Sequence, residues 1–274
     1  MICNGMDTKN DTLVRLPAAS VAWQSARTTF ALILREMGTT YGRSPGGYVW
    51  AIIEPIGMIL ILSVAFSIIV RSPSLGTSFI LFYATGYLPF LLYGTTAAKI
   101  TNAMQFSRAL LSYPSVTWLD AVFARFILNF LTGTSTFCIL MTGILLFSSS
   151  HVSLDLVPIV LAMVLASLIG LGVGMVNCLL IGFFPIWKSI WGIITRPLFI
   201  ASGVLFIIED MPPLVRDILW WNPLMHVTGL MRTGFYSTYH ASYLSLAYVF
   251  GVALVLICIG LLFLSKYHKP LLER

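Results

Sequence analysis

A sharp change in polarity across residues 34–55 constrains this chain more than any other feature. Before it, basic and polar residues alternate with apolar ones, and after it the chain is almost continuously apolar. The segment therefore marks where the polypeptide leaves water and enters a lipid bilayer. Glu54 stands at the mouth of the first apolar run, where a carboxylate is costly without a partner or water. Cationic and aromatic residues suited to the interface precede it: Arg35, Arg43, Tyr48 and Trp50.

The composition excludes a soluble globular protein. Of the 274 residues, 58% are hydrophobic and 9% are charged, and the mean hydropathy is +0.92. A soluble domain carries about 25% charged residues, so this chain has too few to cover a surface that is exposed to water. Its net charge of +6 is typical of Lys and Arg held at one membrane face. We therefore expect membrane lipids, and no nucleic acid, among its partners.

Gaps between charged residues predict six membrane-spanning helices, since about 20 apolar residues cross a bilayer. The predicted fold is all-α and integral to the membrane, with an N-terminal amphipathic interface helix and two short re-entrant helices before the last span. The expected regions are a cytoplasmic segment 1–50, a permease domain 51–265 and a tail 266–274. The six apolar segments are 51–70, 79–98, 126–147, one within 155–188, 189–208 and 243–265.

The basic residues predict the orientation. Thirteen of the sixteen Lys and Arg residues fall on the side that holds both termini if there are six spans. Only Arg71, Arg216 and Arg232 fall on the other side. Because Lys and Arg are retained in cytoplasmic loops, we expect both termini in the cytoplasm of a multi-pass protein of the bacterial inner membrane.

Residues 21–37 have the apolar periodicity of an amphipathic helix. Trp23, Phe30, Leu34 and Met37 recur on one face, and polar residues occupy the other. We expect this helix to lie on the cytoplasmic membrane surface, because the next element is a span. Packing of the same face on a soluble partner remains an alternative.

The cytoplasmic loop after the second span, Asn102 to Pro114, mixes apolar and polar residues. It predicts a short helix closed by Tyr113-Pro114, because the residue before proline disfavours helix. Such a segment would suit docking to another protein, although an ordinary loop explains it equally well.

The external connection, residues 209–242, is too long for a turn and too interrupted for a span. Apolar residues from Leu214 to Trp221 recur at helical spacing, and Asn222-Pro223 breaks the helix before a second apolar piece. Two half-helices dipping into the outer leaflet fit this pattern, provided that protein covers their irregular backbone. Two helices lying on the outer surface are the alternative.

The chain lacks the motifs of an energy-consuming or catalytic protein. It contains no Gly-Lys pair and so no phosphate-binding loop, no nucleophile elbow and no metal-ligand spacing. Ser202-Gly203 lacks the preceding glycine and the histidine that an intramembrane serine protease needs. Intramembrane charge is scarce, with Glu54 and Arg196 as the candidates, whereas ion-coupled transporters usually carry more. We expect a non-enzyme without cofactors that receives energy from outside.

The chain resembles the permeases of bacterial ATP-binding-cassette polysaccharide exporters, most closely the inner-membrane permeases for capsular polysaccharide. Two motif groups carry the resemblance, which covers nearly the whole chain. Similar proteins usually have a larger apolar residue where this chain has Gly47, a difference expected to loosen the turn into the first span. The matching residues are 34–36, 41–51 and 54–55 near the start, and 202–206, 211–213 and 221–226 near the end.

The resemblance implies a homodimer bound to two copies of a separate ATPase, which would bind the ATP. The cargo would be a lipid-linked polysaccharide moved from cytoplasm to periplasm, and periplasmic and outer-membrane export proteins are conceivable further partners. We assign substrate binding to Arg35, Arg43, Tyr48, Trp50 and Glu54. By analogy the ATPase-coupling residues are Arg108, Ala109, Leu110, Leu111, Ser112, Tyr113 and Pro114. The periplasmic gate residues are Pro212, Pro213, Trp220, Trp221, Asn222 and Pro223.

Other functions remain open on sequence alone. The same architecture could export O-antigen, teichoic acid or a small lipid or drug. An intramembrane enzyme and an ion-coupled flippase are more remote alternatives. For Arg35 and Arg43, contact with lipid headgroups alone is an equally simple explanation.

Overall fold

The computed structural model describes residues 18–41, 47–111, 116–147 and 154–273, and every regular element in these ranges is helical. The helices are α1 (Ala18–Tyr41), α2 (Gly47–Ile69), α3 (Phe79–Thr101), α4 (Ala103–Phe106), α5 (Arg108–Leu111), α6 (Trp118–Phe147), α7 (Leu156–Phe183), α8 (Trp187–Ala201), α9 (Pro213–Trp220), α10 (Pro223–Thr233) and α11 (Leu246–Glu273). A single 3₁₀ turn, Ile208–Asp210, lies between α8 and α9 in these ranges.

Four helices in the described ranges are long and apolar enough to cross a membrane. They correspond to the first, third, fourth and sixth predicted spans, so the chain is a multi-pass membrane protein. The other two predicted spans also form helices. α3 has 23 residues but includes a proline, glycines and several threonines, and α8 has only 15 residues. The four apolar stretches are Val49–Ile69, Trp118–Phe147, Leu156–Phe183 and Leu246–Leu271.

The core lies where α7 packs between α3 and α11, and glycines make this close approach possible. A Cβ on Gly174 of α7 would lie 2.9 Å from the Ala97 carbonyl oxygen of α3. On another side of α7, a Cβ on Gly172 would lie 2.6 Å from Cβ of Leu256 on α11. Small residues at such positions let helix backbones approach closely, which favours packing within a bilayer.

Helix α6 starts at Trp118, eight residues before the predicted span. Thr117 and Asp120 explain this start. The Thr117 N–H donates to Asp120 Oδ2 at 3.0 Å, and the Asp120 N–H donates to Thr117 Oγ1 at 3.2 Å. This reciprocal capping satisfies two otherwise unpaired donors and fixes the beginning of the helix.

Helix α8 ends at Ala201, seven residues before the predicted end of the fifth span. Gly203 has a φ of +70°, which glycine adopts without strain and which stops a right-handed helix. No residue of α8 is buried. At the other end of the chain, α11 continues through Glu273, so most of the segment predicted as a tail is helical.

Candidate functional site

A buried ion pair joins the N-terminal helix α1 to α6. Arg125 Nη2 lies 3.2 Å from Glu36 Oε1, and Arg125 Nε donates to Glu36 Oε2 at 3.2 Å. Arg125 is 4% exposed and Glu36 is 8% exposed. The two-pronged geometry matches the planar guanidinium to the carboxylate and fixes one orientation for both side chains.

The same guanidinium also contacts α3 and α4. Arg125 Nη1 donates to the Lys99 carbonyl oxygen at 2.7 Å, one of the last carbonyls of α3, which lack partners within the helix. Arg125 Cζ lies 4.4 Å from the centre of the Phe106 ring, and Arg35 Cζ lies 5.9 Å from it. One side chain therefore holds four helices together. We call Glu36, Lys99, Phe106 and Arg125 the N-terminal junction.

A second contact between α1 and α6 lies two turns away from the ion pair. Thr29 Oγ1 donates to Asp120 Oδ1 at 3.5 Å, while Asp120 Oδ2 accepts from Thr117 Oγ1 at 2.7 Å. Helix α1 is thus attached through polar side chains. Three of its large apolar residues point outward, so that face can meet the membrane surface. The exposed apolar residues are Phe30, Leu34 and Met37.

The predicted coupling segment forms two four-residue helices instead of one short helix. They meet at Ser107, whose carbonyl oxygen accepts from the N–H groups of Leu110 and Leu111 at 2.9 Å. Ala103 and Met104 are buried and anchor the segment, while Phe106 and Arg108 are exposed. Ala109 lies on α5, and Ser112, Tyr113 and Pro114 lie outside the described residues.

Two of the predicted substrate residues line one cavity. Trp50 and Glu54 of α2 face a space of about 260 Å³ between α2, α3 and α6. We call it the α2–α3–α6 cavity. The wall is mostly apolar, and its polar lining can donate hydrogen bonds to, and accept them from, a ligand that carries hydroxyl groups. Besides Trp50 and Glu54, that lining consists of Thr95, Lys99, Asn129, Thr132 and Thr136.

Part of this polar lining is held in place by hydrogen bonds between helices. Asn129 Nδ2 donates to Thr96 Oγ1 at 2.7 Å and to Thr95 Oγ1 at 3.3 Å. The other predicted substrate residues lie elsewhere or are not described. Arg35 lies beside Phe106 at the N-terminal junction, Tyr48 lies on α2, and Arg43 is outside the described residues.

Asn222, one of the predicted gate residues, ties the end of α8 to the start of α10. Its Oδ1 accepts from the Leu224 N–H at 3.1 Å and caps α10. Its Nδ2 donates to the Ala201 carbonyl at 3.0 Å and to Ser202 Oγ at 3.3 Å. Pro223 occupies the first helical position, where its missing N–H costs nothing.

Arg232 holds the backbone that follows Gly203. Its Nη1 donates to the Phe206 carbonyl at 2.8 Å and its Nη2 to the Val204 carbonyl at 3.2 Å. Its Cζ lies 4.2 Å from the centre of the Phe82 ring on α3. The side chain is 1% exposed. Two of the non-helical carbonyls between α8 and α9 are therefore satisfied by a buried side chain.

Aromatic residues fix the junction of α9 with α10 and α11. The Trp220 ring stacks on Tyr248 with 5.1 Å between ring centres, and Trp220 Nε1 donates to the Tyr243 carbonyl at 3.2 Å. His226 Nδ1 accepts from the Ser245 N–H, so Nε2 carries the proton and donates to the Trp220 carbonyl at 2.8 Å.

The remaining predicted gate residues lie on the surface side of this cluster. Trp221 is 69% exposed, although its carbonyl accepts from Tyr248 Oη at 2.7 Å. Pro212 precedes α9 and Pro213 is its first residue, and both are exposed. Trp220 and Asn222 are thus anchored and Trp221 is presented outward, while Pro212 and Pro213 lie at the opposite end of α9.

Sequence reasoning missed the residues that hold these sites together. It counted Lys99, Arg125 and Arg232 only as charges that set orientation, and Glu36 only as part of a motif. An ionisable residue beside apolar stretches is a signal for a buried, paired group, and that signal was present at Arg125 and Arg232. Their partners are far away along the chain, so the sequence did not reveal them.

The geometry defines a polytopic membrane protein with an N-terminal helix fastened to its bundle, short loop helices and two helices before the last span. The sequence matches the ABC-2 type transporter family over residues 27–236. The chain belongs to that family.

Named relatives are similar over most of their length. The polysialic acid transport protein KpsM of Escherichia coli is 29% identical over 234 residues, which cover 85% of this chain and 91% of the relative. The capsule polysaccharide export inner-membrane protein CtrC of Neisseria meningitidis serogroup B is 26% identical over 90% of this chain and 95% of the relative. BexB of Haemophilus influenzae, with the same description, is 26% identical over 89% and 92%.

Proposed function

We propose that this chain is the membrane-spanning permease subunit of an ATP-driven exporter that moves a lipid-linked, capsule-type polysaccharide from the cytoplasm to the periplasm. The observation that carries the proposal is the similarity over about nine-tenths of the chain to inner-membrane proteins named for capsule polysaccharide export. Similarity over most of the chain, rather than over one motif, supports a shared task as well as a shared fold.

The energy source in this proposal is a separate ATPase, present in two copies, which binds the ATP. The N-terminal junction supports this assignment. The exposed side chains of Phe106 and Arg108 lie on short helices whose base is fixed to α1, α3 and α6 through Arg125. A short segment on a rigid base can transmit a displacement of the ATPase to the membrane helices, whereas a flexible loop would not.

The proposed topology has six spans and both termini in the cytoplasm, with α3 and α8 as the second and fifth spans. α9 and α10 dip into the outer leaflet without crossing it. Arg232 supports this placement, because it satisfies carbonyls that lipid would leave unpaired.

We further propose a homodimer. Helix α8 has no buried residue, and a second copy would cover its exposed apolar side chains.

The polysaccharide, in this proposal, passes close to the α2–α3–α6 cavity. Trp50 offers an aromatic face for a sugar ring, and Glu54, Asn129 and the threonines offer hydrogen-bonding groups. Arg35 and Arg43 would meet the anionic lipid anchor at the cytoplasmic surface. The anchored gate residues Trp220 and Asn222 would frame the periplasmic exit, with Trp221 exposed beside them.

A deletion experiment with reconstitution tests the proposal. We expect cells lacking this chain to accumulate lipid-linked polysaccharide in the cytoplasm and to lose it from the surface. Purified chain and its ATPase in proteoliposomes should move that glycolipid only when ATP is hydrolysed. Transport that persists without the ATPase, or a deletion strain with normal surface polysaccharide, would refute the proposal.

A further inference from the structure

A groove between α2, α3 and α6 is distinct from the cavity described above. It has a volume of about 680 Å³, and we call it the outer groove. Ile59 and Leu140 line it and are buried, whereas Leu60 and Ile139 line it and are 46% and 54% exposed. A Cβ on Gly143 of α6 would meet no atom within 4 Å. The groove is therefore open along one side to the surroundings of the helix bundle.

The walls of the outer groove are apolar except at one end. Its lining from α2 and α6 consists of aliphatic residues, one glycine and Phe147. The polar residues that line it are Thr77 and Ser78, which immediately precede α3. Ser78 Oγ accepts from the Leu81 N–H at 3.4 Å, so the hydroxyl hydrogen remains available to a further acceptor. No charged residue of the described ranges lines the groove.

The groove lies at the depth of the bilayer hydrocarbon. Its α2 residues fall within the apolar stretch Val49–Ile69, and its α6 residues fall within Trp118–Phe147. In the proposed topology α3 begins and α6 ends at the periplasmic surface, so the polar end of the groove is its outer end. From Phe147 to Ile139 the groove follows α6 for about 12 Å, close to half of a hydrocarbon core of about 30 Å. It therefore spans the depth of one leaflet.

These properties select an acyl chain as the occupant. Apolar walls do not hold water, and an empty space would forfeit the dispersion contacts of its lining. A membrane-spanning helix of a second copy would need an apolar face about 30 Å long, more than twice the length of this groove. A phospholipid of the outer leaflet has the matching form. Its ester and phosphate oxygens lie near the surface, and its chains extend toward the middle of the bilayer.

We propose that the outer groove binds one acyl chain of a bilayer phospholipid from the outer leaflet. The hydroxyls of Thr77 and Ser78 donate to its ester or phosphate oxygens, and the chain lies along α6 over Gly143. Its far end lies beside Ile52 and Ile56, each next in sequence to a residue that lines the α2–α3–α6 cavity. The bound chain fills the space between α2 and α6 and so sets their separation beside that cavity. This inference rests on the proposed topology for its leaflet, and it assigns a resident lipid, not the exported cargo.

The test counts the phospholipid that the full chain retains. The chain is reconstituted in nanodiscs of palmitoyl-oleoyl phosphatidylcholine and released into mild detergent, and native mass spectrometry measures the bound mass. We expect the wild type to retain one phosphatidylcholine per chain. Gly143→Leu places a side chain in the groove and should lose this lipid. The control Gly251→Leu adds the same side chain on α11, where a Cβ also meets no atom within 4 Å, and should keep it.

A second pair of variants tests the polar end without filling the groove, and it keeps the test decisive should Gly143→Leu fail to fold. Thr77→Val removes one hydroxyl at nearly constant shape. Titration of phosphatidylcholine into the delipidated chain should show an affinity lower by about two- to tenfold. The matched control Thr238→Val changes another exposed threonine outside the groove and should leave the affinity unaltered.

Several results would overturn the inference. They are a wild type that retains no phosphatidylcholine, equal retention by wild type and Gly143→Leu, equal loss in Gly143→Leu and Gly251→Leu, and unaltered affinity of Thr77→Val. Loss of a second copy of the chain instead of lipid from Gly143→Leu would assign the groove to a dimer interface. In protein taken from native membranes, retention of the exported glycolipid in place of phospholipid would assign it to the cargo. The proposed function fails separately, if the wild-type chain with its ATPase exports no glycolipid although it retains the phospholipid.

Discussion

Removing Arg125 should destabilise the protein far more than removing an ordinary surface charge. In Arg125→Met the Glu36 carboxylate stays buried without its partner, and breaking a buried pair in this way costs about 3–5 kcal/mol. The Lys99 carbonyl loses its donor at 2.7 Å, and Phe106 loses the guanidinium over its ring. We therefore expect a loss at the upper end of that range.

The double variant Glu36→Met with Arg125→Met gives the sharper test. Replacing both charges of a buried pair by apolar residues of similar size is often neutral or stabilising. The double variant should therefore recover most of the stability that Arg125→Met loses. The exposed residue Arg71 provides the matched control, and Arg71→Met should change stability by no more than about 0.5 kcal/mol.

The measurement is equilibrium unfolding in mixed micelles by SDS titration, followed by tryptophan fluorescence. A double-mutant cycle on Glu36 and Arg125 isolates their interaction energy. If the two single losses simply add in the double variant, the pair is not coupled and the N-terminal junction is wrong. In proteoliposomes with the ATPase, we expect the double variant to hydrolyse ATP while exporting less glycolipid per ATP. Normal export would show that the fixed geometry of the pair is dispensable for coupling.

Three further substitutions test the remaining sites. Gly203→Ala should lower the stability of the folded protein by about 1–2 kcal/mol, because alanine is strained at a φ of +70°. The control Gly94→Ala, with open space at its Cβ, should be neutral or stabilising. Thermal unfolding in detergent compares the two variants, and equal effects would contradict the turn geometry. Arg232→Met should lower the stability of the folded protein by about 1–3 kcal/mol for each of the two carbonyls left without a donor. Unfolding close to that of the wild type would show that water replaces the guanidinium. Phe106→Ala should change stability by about 1 kcal/mol or less but reduce co-purification of the ATPase. Unchanged co-purification would show that this exposed ring is not part of the docking surface.

The sequence predicted the helices well because apolar length and local breakers control them. The helical spacing after Leu214 and the break at Asn222-Pro223 are confirmed as α9 and α10. The predicted start of the third span lies too late for α6, because gaps between charges locate only the uncharged part of a helix. Asp120 and Arg125 lie inside the helix, where a cap and an ion pair neutralise them. A Thr-x-x-Asp capping pattern was present in the sequence and was the better local signal.

The end of α8 and the partners within each site could not be predicted in the same way. A glycine in an apolar run is compatible with a span, and only the packing around Gly203 and the donors of Arg232 force the chain to turn there. Glu36 and Arg125 are 89 residues apart. Nothing in local periodicity pairs two such residues, because their contact depends on how α1 packs against α6.

Lys99 physically connects the N-terminal junction with the α2–α3–α6 cavity. Its carbonyl oxygen accepts the Arg125 guanidinium, while the residue itself lines the cavity that contains Glu54. On α6, Asn129 lies one turn after Arg125 on the same face and lines the same cavity. A force applied at Phe106 therefore acts on the ends of the two helices that form two of the cavity's three walls. If the proposed ATPase displaces this segment, the movement reaches α3 and α6 directly through Arg125, and no separate relay of side chains is needed to link the proposed docking surface to the proposed glycan path.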